Sequence, residues 1–232
     1  MVRSGWRQGM VAGIPLAIGY IPIAMAYGVL AATLDVPGWF VAASSLLVFA
    51  GASQFMAVNM IPLGASVTEI VMTTFVVNLR HLLLSAAVAS KTPPDTSRVT
   101  RTLIGTLTTD ELFSLITLRR EHYVAAGFTL ALGLVGYTSW WAGTLIGLWA
   151  AHSLPPQLAD SMSIGLYAMF IALLVPALKH RRDARPVTAL AALGHAVLYS
   201  AATALGWGPG AALLVAALAT VILAVGIQEV RS

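Results

Sequence analysis

The sequence has no cysteine, which excludes structural disulfides, thiolate catalysis and cysteine-ligated metals. Charge is scarce too. Asp, Glu, Lys and Arg make up 9% of the 232 residues, against about 25% in a soluble globular domain. Hydrophobic residues reach 58% and the mean hydropathy is +0.84. Such a chain is a polytopic membrane protein. It contains no polar stretch long enough to fold as a second domain, so residues 1–232 read as one integral membrane domain. HExxH, GxSxG, P-loop and paired metal-ligand spacings are all absent. An intramembrane enzyme therefore has no positive signal, and no cofactor or metal is expected.

The 13 Lys+Arg outnumber the 9 Asp+Glu. The basic residues cluster in short loops beside apolar runs, which points to membrane topology rather than to a nucleic-acid partner. Arg3 and Arg7 precede an apolar run from Met10 to Leu34, too long for a cleaved leader and read as a retained first membrane helix. Pro15, Gly19 and Pro22 in that run predict a break near Gly19 to Pro22. Gly5, Gly9 and Gly13 recur every fourth residue and form a small-residue face for a closely approaching helix.

Further apolar segments run from Trp39 to Met60, Ala65 to Ala89, Leu103 to Leu118, Tyr123 to Ala151, Ser161 to Leu178, Val187 to Leu205 and Ala211 to Ile227. Trp140, Trp141, Trp149, Trp207 and Tyr123 are read as interfacial aromatics. Positive charge places Arg3/Arg7, Lys91/Arg98/Arg101, Arg119/Arg120, Lys179 to Arg185 and Arg231 on the cytoplasmic side, with both termini. The loops at Asp35, Pro62, His152 to Asp160 and Gly206 to Gly210 lack Lys and Arg and read as external. These assignments agree if Trp39–Met60 and Leu103–Leu118 each return to the side they left. The expected fold is thus an all-α polytopic membrane protein with six full transmembrane helices plus two broken or re-entrant segments. The alternative is eight spanning helices, which violates the rule at one loop, that of Lys91, Arg98 and Arg101.

Three residues inside the Ala65–Ala89 run carry the chemistry: Asn78, Arg80 and His81. Arg80 lies about 11 residues, roughly 16 Å of helix, from Lys91, too deep to reach water easily. A central arginine costs about 2.5–3.5 kcal/mol on insertion scales, so it demands a counter-ion, a ligand or a wet cavity. The functional reading is an anchor for an anionic substrate group, and the plain alternative is a structural ion pair with Asp110 or Glu111. Those adjacent acids repel each other, which favours keeping a proton on one of them and suits proton coupling. His81 is either a packed neutral side chain or a proton-transfer group. Gly51, Ser53 and Gln54 form a turn expected at the same depth as Arg80, and two half-segments meeting at mid-membrane build a substrate site in many transporters. Gln54, Ser53, Asn59 and Asn78 also serve plain interhelical packing. His195 and Tyr199 share a helix face, where a His–Tyr hydrogen bond is expected.

Gly13-Ile14-Pro15 through Gly28, Val48 to Phe55, Val77-Asn78-Leu79-Arg80-His81 and Leu107 to Phe113 resemble, in order and spacing, the AzlC family of branched-chain amino acid permeases. The resemblance implies the large subunit of an exporter for valine-like amino acids, paired with a separately encoded small AzlD-like membrane subunit. The Gly5/Gly9/Gly13 face is a candidate contact for that partner. A zwitterionic substrate would offer its carboxylate to Arg80 and its ammonium to Asp110 or Glu111. The competing class is a non-transporting membrane assembly subunit whose buried polar residues specify helix packing.

Overall fold

Hydrophobic runs in a bilayer must satisfy their backbone internally, and helices do so. The computed structural model describes residues 2–153, 171, 174–175, 178–179, 184–208, 210–212, 215–216 and 218–220. Every regular element among them is an α-helix: α1 (Val2–Thr33), α2 (Gly38–Leu47), α3 (Gly51–Met60), α4 (Val67–Asn78), α5 (Arg80–Ser90), α6 (Arg98–Thr106), α7 (Asp110–Thr117), α8 (Ala126–Ala151) and α9 (Ala184–Ala204). Residues 210–212, 215–216 and 218–220 are helical as well. Three described stretches are long and apolar enough to cross a membrane, namely Gly5–Thr33, Val67–Ser90 and Arg185–Ala204. Most of the expected Ser161–Leu178 span, and much of Ala211–Ile227, lie outside the described residues.

The contacts divide the chain into two compact units, residues 1–54 with 78–165 and residues 55–77 with 166–232. In the first, α1 lies along α8, and glycines set how closely they approach. A Cβ on Gly13 would fall 2.8 Å from Val135 Cβ, and one on Gly143 would fall 2.8 Å from both Ala24 Cβ and the Ile21 carbonyl oxygen. Gly9 faces the Phe128 carbonyl, Gly28 the Thr144 carbonyl and Gly147 the Met25 carbonyl in the same way. The Gly5/Gly9/Gly13 face is therefore covered by α8 of this chain. Its four-residue spacing announces a close neighbour but not whose helix that neighbour is.

The expected break at Gly19 to Pro22 does not occur, because α1 runs unbroken through Pro15 and Pro22. Each proline removes one backbone donor, yet its ring only locally disturbs a helix clamped along its length by another. Trp140 also departs from expectation. It is 3% exposed within α8, and its indole fills the space left by Gly51, where a Cβ would lie 2.6 Å from Cη2.

The two polar segments are broken, and each break has a local cause. Between α2 and α3, Phe49 adopts φ +43°, a left-handed conformation that costs a non-glycine residue about 1–2 kcal/mol. Its buried ring is held edge-on to Tyr20 and Tyr137, with centroids 6.3 and 5.2 Å away. Between α6 and α7 the chain stops at Leu107–Thr109, with Leu107 Cβ 2.8 Å from where a Cβ on Gly133 would stand. Thr109 then caps α7 by accepting from the Leu112 amide, a preferred role for a threonine hydroxyl. The chain beyond α7 returns to Lys91, which precedes α6. Lys91 Nζ donates to the Arg119 and Glu121 carbonyls at 3.0 and 2.9 Å, and its own carbonyl accepts from Val124 N at 2.8 Å. The Glu121 carboxyl is held below the usual carboxylate range by its own backbone amide and then by Arg119.

In the second unit, Glu69 joins two helices. Its Oε2 accepts from the amide and hydroxyl of Ser66, each at 2.8 Å, at the start of α4, and its Oε1 accepts from the Ala211 amide at 3.1 Å. The loops around Pro62 and around Gly206 to Gly210, both read as external, therefore meet through one side chain. His195 and Tyr199 on α9 stack with near-parallel rings 6.4 Å apart, a contact of ring faces in place of the expected hydrogen bond.

Candidate functional site

The site is built from two interrupted helices and one intact one. At the junction of α4 and α5 only Leu79 leaves the helical pattern, and its φ of −54° and ψ of −28° keep the chain direction. Asn78 and His81 stand three residues apart on this stretch, and Arg80 and His81 both reach the same α6–α7 break, at Asp110 and Thr108. Opposite them is the Leu107–Thr109 break. Asp110 and Glu111 open α7, where the helix dipole favours negative charge by about 0.3–1 kcal/mol each.

Arg80 Nη1 lies 3.0 Å from Asp110 Oδ2, and both side chains are 36% exposed. His81 Nδ1 is 3.0 Å from the Thr108 carbonyl oxygen, and Ser85 Oγ donates to the Gly105 carbonyl at 3.2 Å. Together these contacts fasten α5 to the α6–α7 hairpin. Glu111 has a different partner. The Tyr20 hydroxyl, brought in by α1, lies 2.5 Å from Glu111 Oε2 and 2.8 Å from Thr109 Oγ1.

Three polar atoms beside the ion pair are buried with no protein partner: Asn78 Oδ1, Arg80 Nε and His81 Nε2. A buried polar atom left unpaired costs about 1–3 kcal/mol. Such atoms are rare in folded proteins, and three within four residues mark a place where water or a ligand supplies the missing bonds.

The second polar cluster is closed by comparison. Gln54 Oε1 accepts from Trp140 Nε1 at 3.0 Å and from the Ala50 amide at 3.3 Å. Gln54 Nε2 donates to Ser45 Oγ at 2.9 Å and to Ser44 Oγ at 3.4 Å, and Ser45 Oγ meets Thr144 Oγ1 at 2.7 Å. Ser53 Oγ donates back to the Ala50 carbonyl at 2.9 Å. Gly51, Ser53 and Gln54 are thus engaged in holding the α2–α3 break against α8. Tyr20 connects the two clusters, since its ring stands edge-on to Trp140 at 5.6 Å while its hydroxyl reaches Glu111.

Sequence reasoning misses Tyr20, Thr108 and Trp140 as participants. For Tyr20 a signal exists: a tyrosine in the middle of an apolar helix must find a partner for its hydroxyl. For Thr108 the contribution is a backbone carbonyl, which no residue type reveals. Among the described residues no group of three or more His, Cys, Asp or Glu is placed to hold a metal ion.

The family model described as AzlC protein matches residues 15–154, a range that contains all three helix junctions. The chain is similar to an uncharacterized membrane protein of Archaeoglobus fulgidus, 32% identical over 178 residues that cover 76% of this chain and 77% of that protein. It is also similar to the inner membrane protein YgaZ of Escherichia coli, 25% identical over 202 residues covering 84% and 82%. An uncharacterized membrane protein of Helicobacter pylori is 26% identical over 136 residues, covering 58% and 59%. No solved structure matches the chain.

Proposed function

The chain belongs to the AzlC family, and from that membership we propose that it is a secondary transporter that exports branched-chain or other small apolar amino acids. The observation that carries the proposal is the Arg80–Asp110 pair at two helix breaks, with Arg80 Nε, Asn78 Oδ1 and His81 Nε2 buried and unpaired around it. A transporter needs binding groups that are satisfied only when cargo or water is present. The Arg80 guanidinium is a planar fork suited to a carboxylate, and Asp110 is its counter-ion when the site is empty. Transport is coupled to protons, with Glu111 and His81 as the groups that exchange them. A small AzlD-like membrane subunit completes the exporter, a reading supported by the family alone.

The protein resides in the inner membrane with both termini cytoplasmic, in keeping with the basic loops and with the name of the Escherichia coli relative. The Leu103–Leu118 segment re-enters, supported by the contacts that bring the chain beyond α7 back to Lys91. The second reading, a membrane assembly subunit without transport, is favoured by the Gln54–Ser45–Thr144–Trp140 network, which needs no ligand.

Valine binding and efflux by Arg80 variants, compared at equal amounts of membrane-inserted protein, separate the two. Arg80→Ala is expected to abolish both activities, and Arg80→Lys to weaken binding about tenfold or more while inserting normally, because it keeps the charge and loses the fork. An Arg80→Ala protein with wild-type affinity and efflux would make this arginine structural.

A further inference from the structure

We infer that Asn78 Oδ1 and His81 Nε2 receive the ammonium group of the cargo, so that these two residues select α-amino acids over other carboxylates; this rests on the amino acid transporter reading. The starting point is the tautomer of His81. Its Nδ1 lies 3.0 Å from the Thr108 carbonyl oxygen, and a carbonyl only accepts, so Nδ1 carries the hydrogen. In the neutral ring the lone pair is then on Nε2. That atom is buried and has no protein partner. Asn78 Oδ1, also an acceptor, is equally buried and unpaired. The two residues stand at positions i and i+3, with Cβ atoms about 5–6 Å apart on a helical surface.

Two adjacent acceptors with nothing to accept call for a group rich in donors. An ammonium has three N–H donors and no acceptor, whereas a hydroxyl has only one donor. Close by, Arg80 Nε is a donor without an acceptor, the complement of a carboxylate. One amino acid head group would satisfy all three. The acids are engaged elsewhere, Asp110 with Arg80 at 3.0 Å and Glu111 with the Tyr20 hydroxyl at 2.5 Å. Neutral acceptors thus take the ammonium while the Arg80 guanidinium takes the carboxylate, and the bound zwitterion leaves the net charge of the site unchanged.

The test compares L-valine with (S)-2-hydroxy-3-methylbutanoate, which keeps the carboxylate and isopropyl group and replaces the ammonium by a hydroxyl. Binding of both is measured on the purified full chain in lipid nanodiscs. His81→Asn retains a donor near the Nδ1 position for Thr108 but deletes Nε2, and Asn78→Leu removes the amide at similar volume. Wild-type protein is expected to prefer valine, and each variant to reduce that preference about 10- to 100-fold. Affinity for the hydroxy acid is expected to stay within about twofold. Asn78→Asp, nearly isosteric, is expected to strengthen the preference, and it serves as the test if Asn78→Leu fails to insert. An unchanged preference would mean that water alone occupies these acceptors, and equal loss of both ligands would mean that the residues only shape the fold. Either result overturns the inference while leaving the transporter reading intact. Wild-type protein that binds no amino acid would overturn that reading and the inference with it.

Discussion

Replacing Gly147 by alanine tests the α1–α8 frame on which Tyr20 is mounted. In a helix interior this change gains about 0.8–1 kcal/mol of intrinsic propensity, so a favourable result is expected wherever space allows. At Gly147 there is none. The new Cβ would lie 2.8 Å from both Cα and C of Met25 and closer still to the Met25 carbonyl oxygen. All three are backbone atoms that no rotamer change can move. Restoring ordinary contact requires α1 and α8 to separate by about 1 Å, and overpacking of this kind costs about 1–3 kcal/mol. Gly19 supplies the control on the opposite helix. It is exposed and nothing lies within 4 Å of its would-be Cβ, so Gly19→Ala is expected to stabilise by about the propensity gain. Combining the gain with the packing cost, the two variants differ by about 1–3 kcal/mol, since the propensity gain is common to both. At about 2–4 °C per kcal/mol for a chain of this size, their Tm values in detergent, read by fluorescence-detected size exclusion, should differ by about 2–12 °C. Equal stability of Gly147→Ala and Gly19→Ala would refute the close crossing and, with it, the placement of Tyr20 against Thr109 and Glu111.

Cysteine at Thr96, between Lys91 and Arg98, is expected to react with an impermeant thiol reagent only after cells are permeabilised; rapid labelling of intact cells would favour eight crossings. Trp140→Phe removes the indole donor from Gln54 Oε1 and is expected to cost about 1–3 kcal/mol, measured as a lower Tm at normal expression. Glu69→Ala takes away the acceptors of the Ser66 and Ala211 amides and is expected to lower the Tm. Faster hydrogen exchange at Ala211 is the specific readout, and unchanged exchange there would mean that Glu69 does not cap the second helix.

What the sequence discloses here is cost, and what it conceals is adjacency. Arg80 announces itself because an arginine about 16 Å from the nearest basic flank is expensive, and the expense by itself implies a counter-ion. The α6–α7 break is legible for a similar reason, since Thr108, Thr109, Asp110 and Glu111 interrupt an apolar run with residues that prefer helix starts. The unbroken course of α1 is hidden. Two prolines in one helix read as a break, and the glycines of α8 that clamp this helix lie more than a hundred residues away in the chain. Trp140 is misread for want of the same information, because an aromatic near a predicted helix end and one packed over a distant glycine look identical in a string of letters. No pattern distinguishes Gln54, whose bonds are filled, from Asn78, whose acceptor is empty.

That last contrast bears most directly on function. If polar residues served only to specify packing, folding would match each donor with an acceptor, as it does around Gln54. Around Arg80 it does not, although Asn78, Arg80 and His81 share one turn and flexible side chains were available to pair them. At about 1–3 kcal/mol for each unmatched atom, three such atoms would cost about 3–9 kcal/mol in a dry interior. The whole net stability of a folded domain is only about 5–15 kcal/mol, so a dry site would forfeit much of it. The cost is avoided only if water or a ligand reaches the atoms. A guanidinium donor beside two neutral acceptors complements an amino acid head group, whose carboxylate accepts and whose ammonium donates. The half-helices α5 and α7 that begin at Arg80 and Asp110 join through one ion pair. A carboxylate arriving at the unpaired Arg80 Nε therefore reaches the residue that fastens them together.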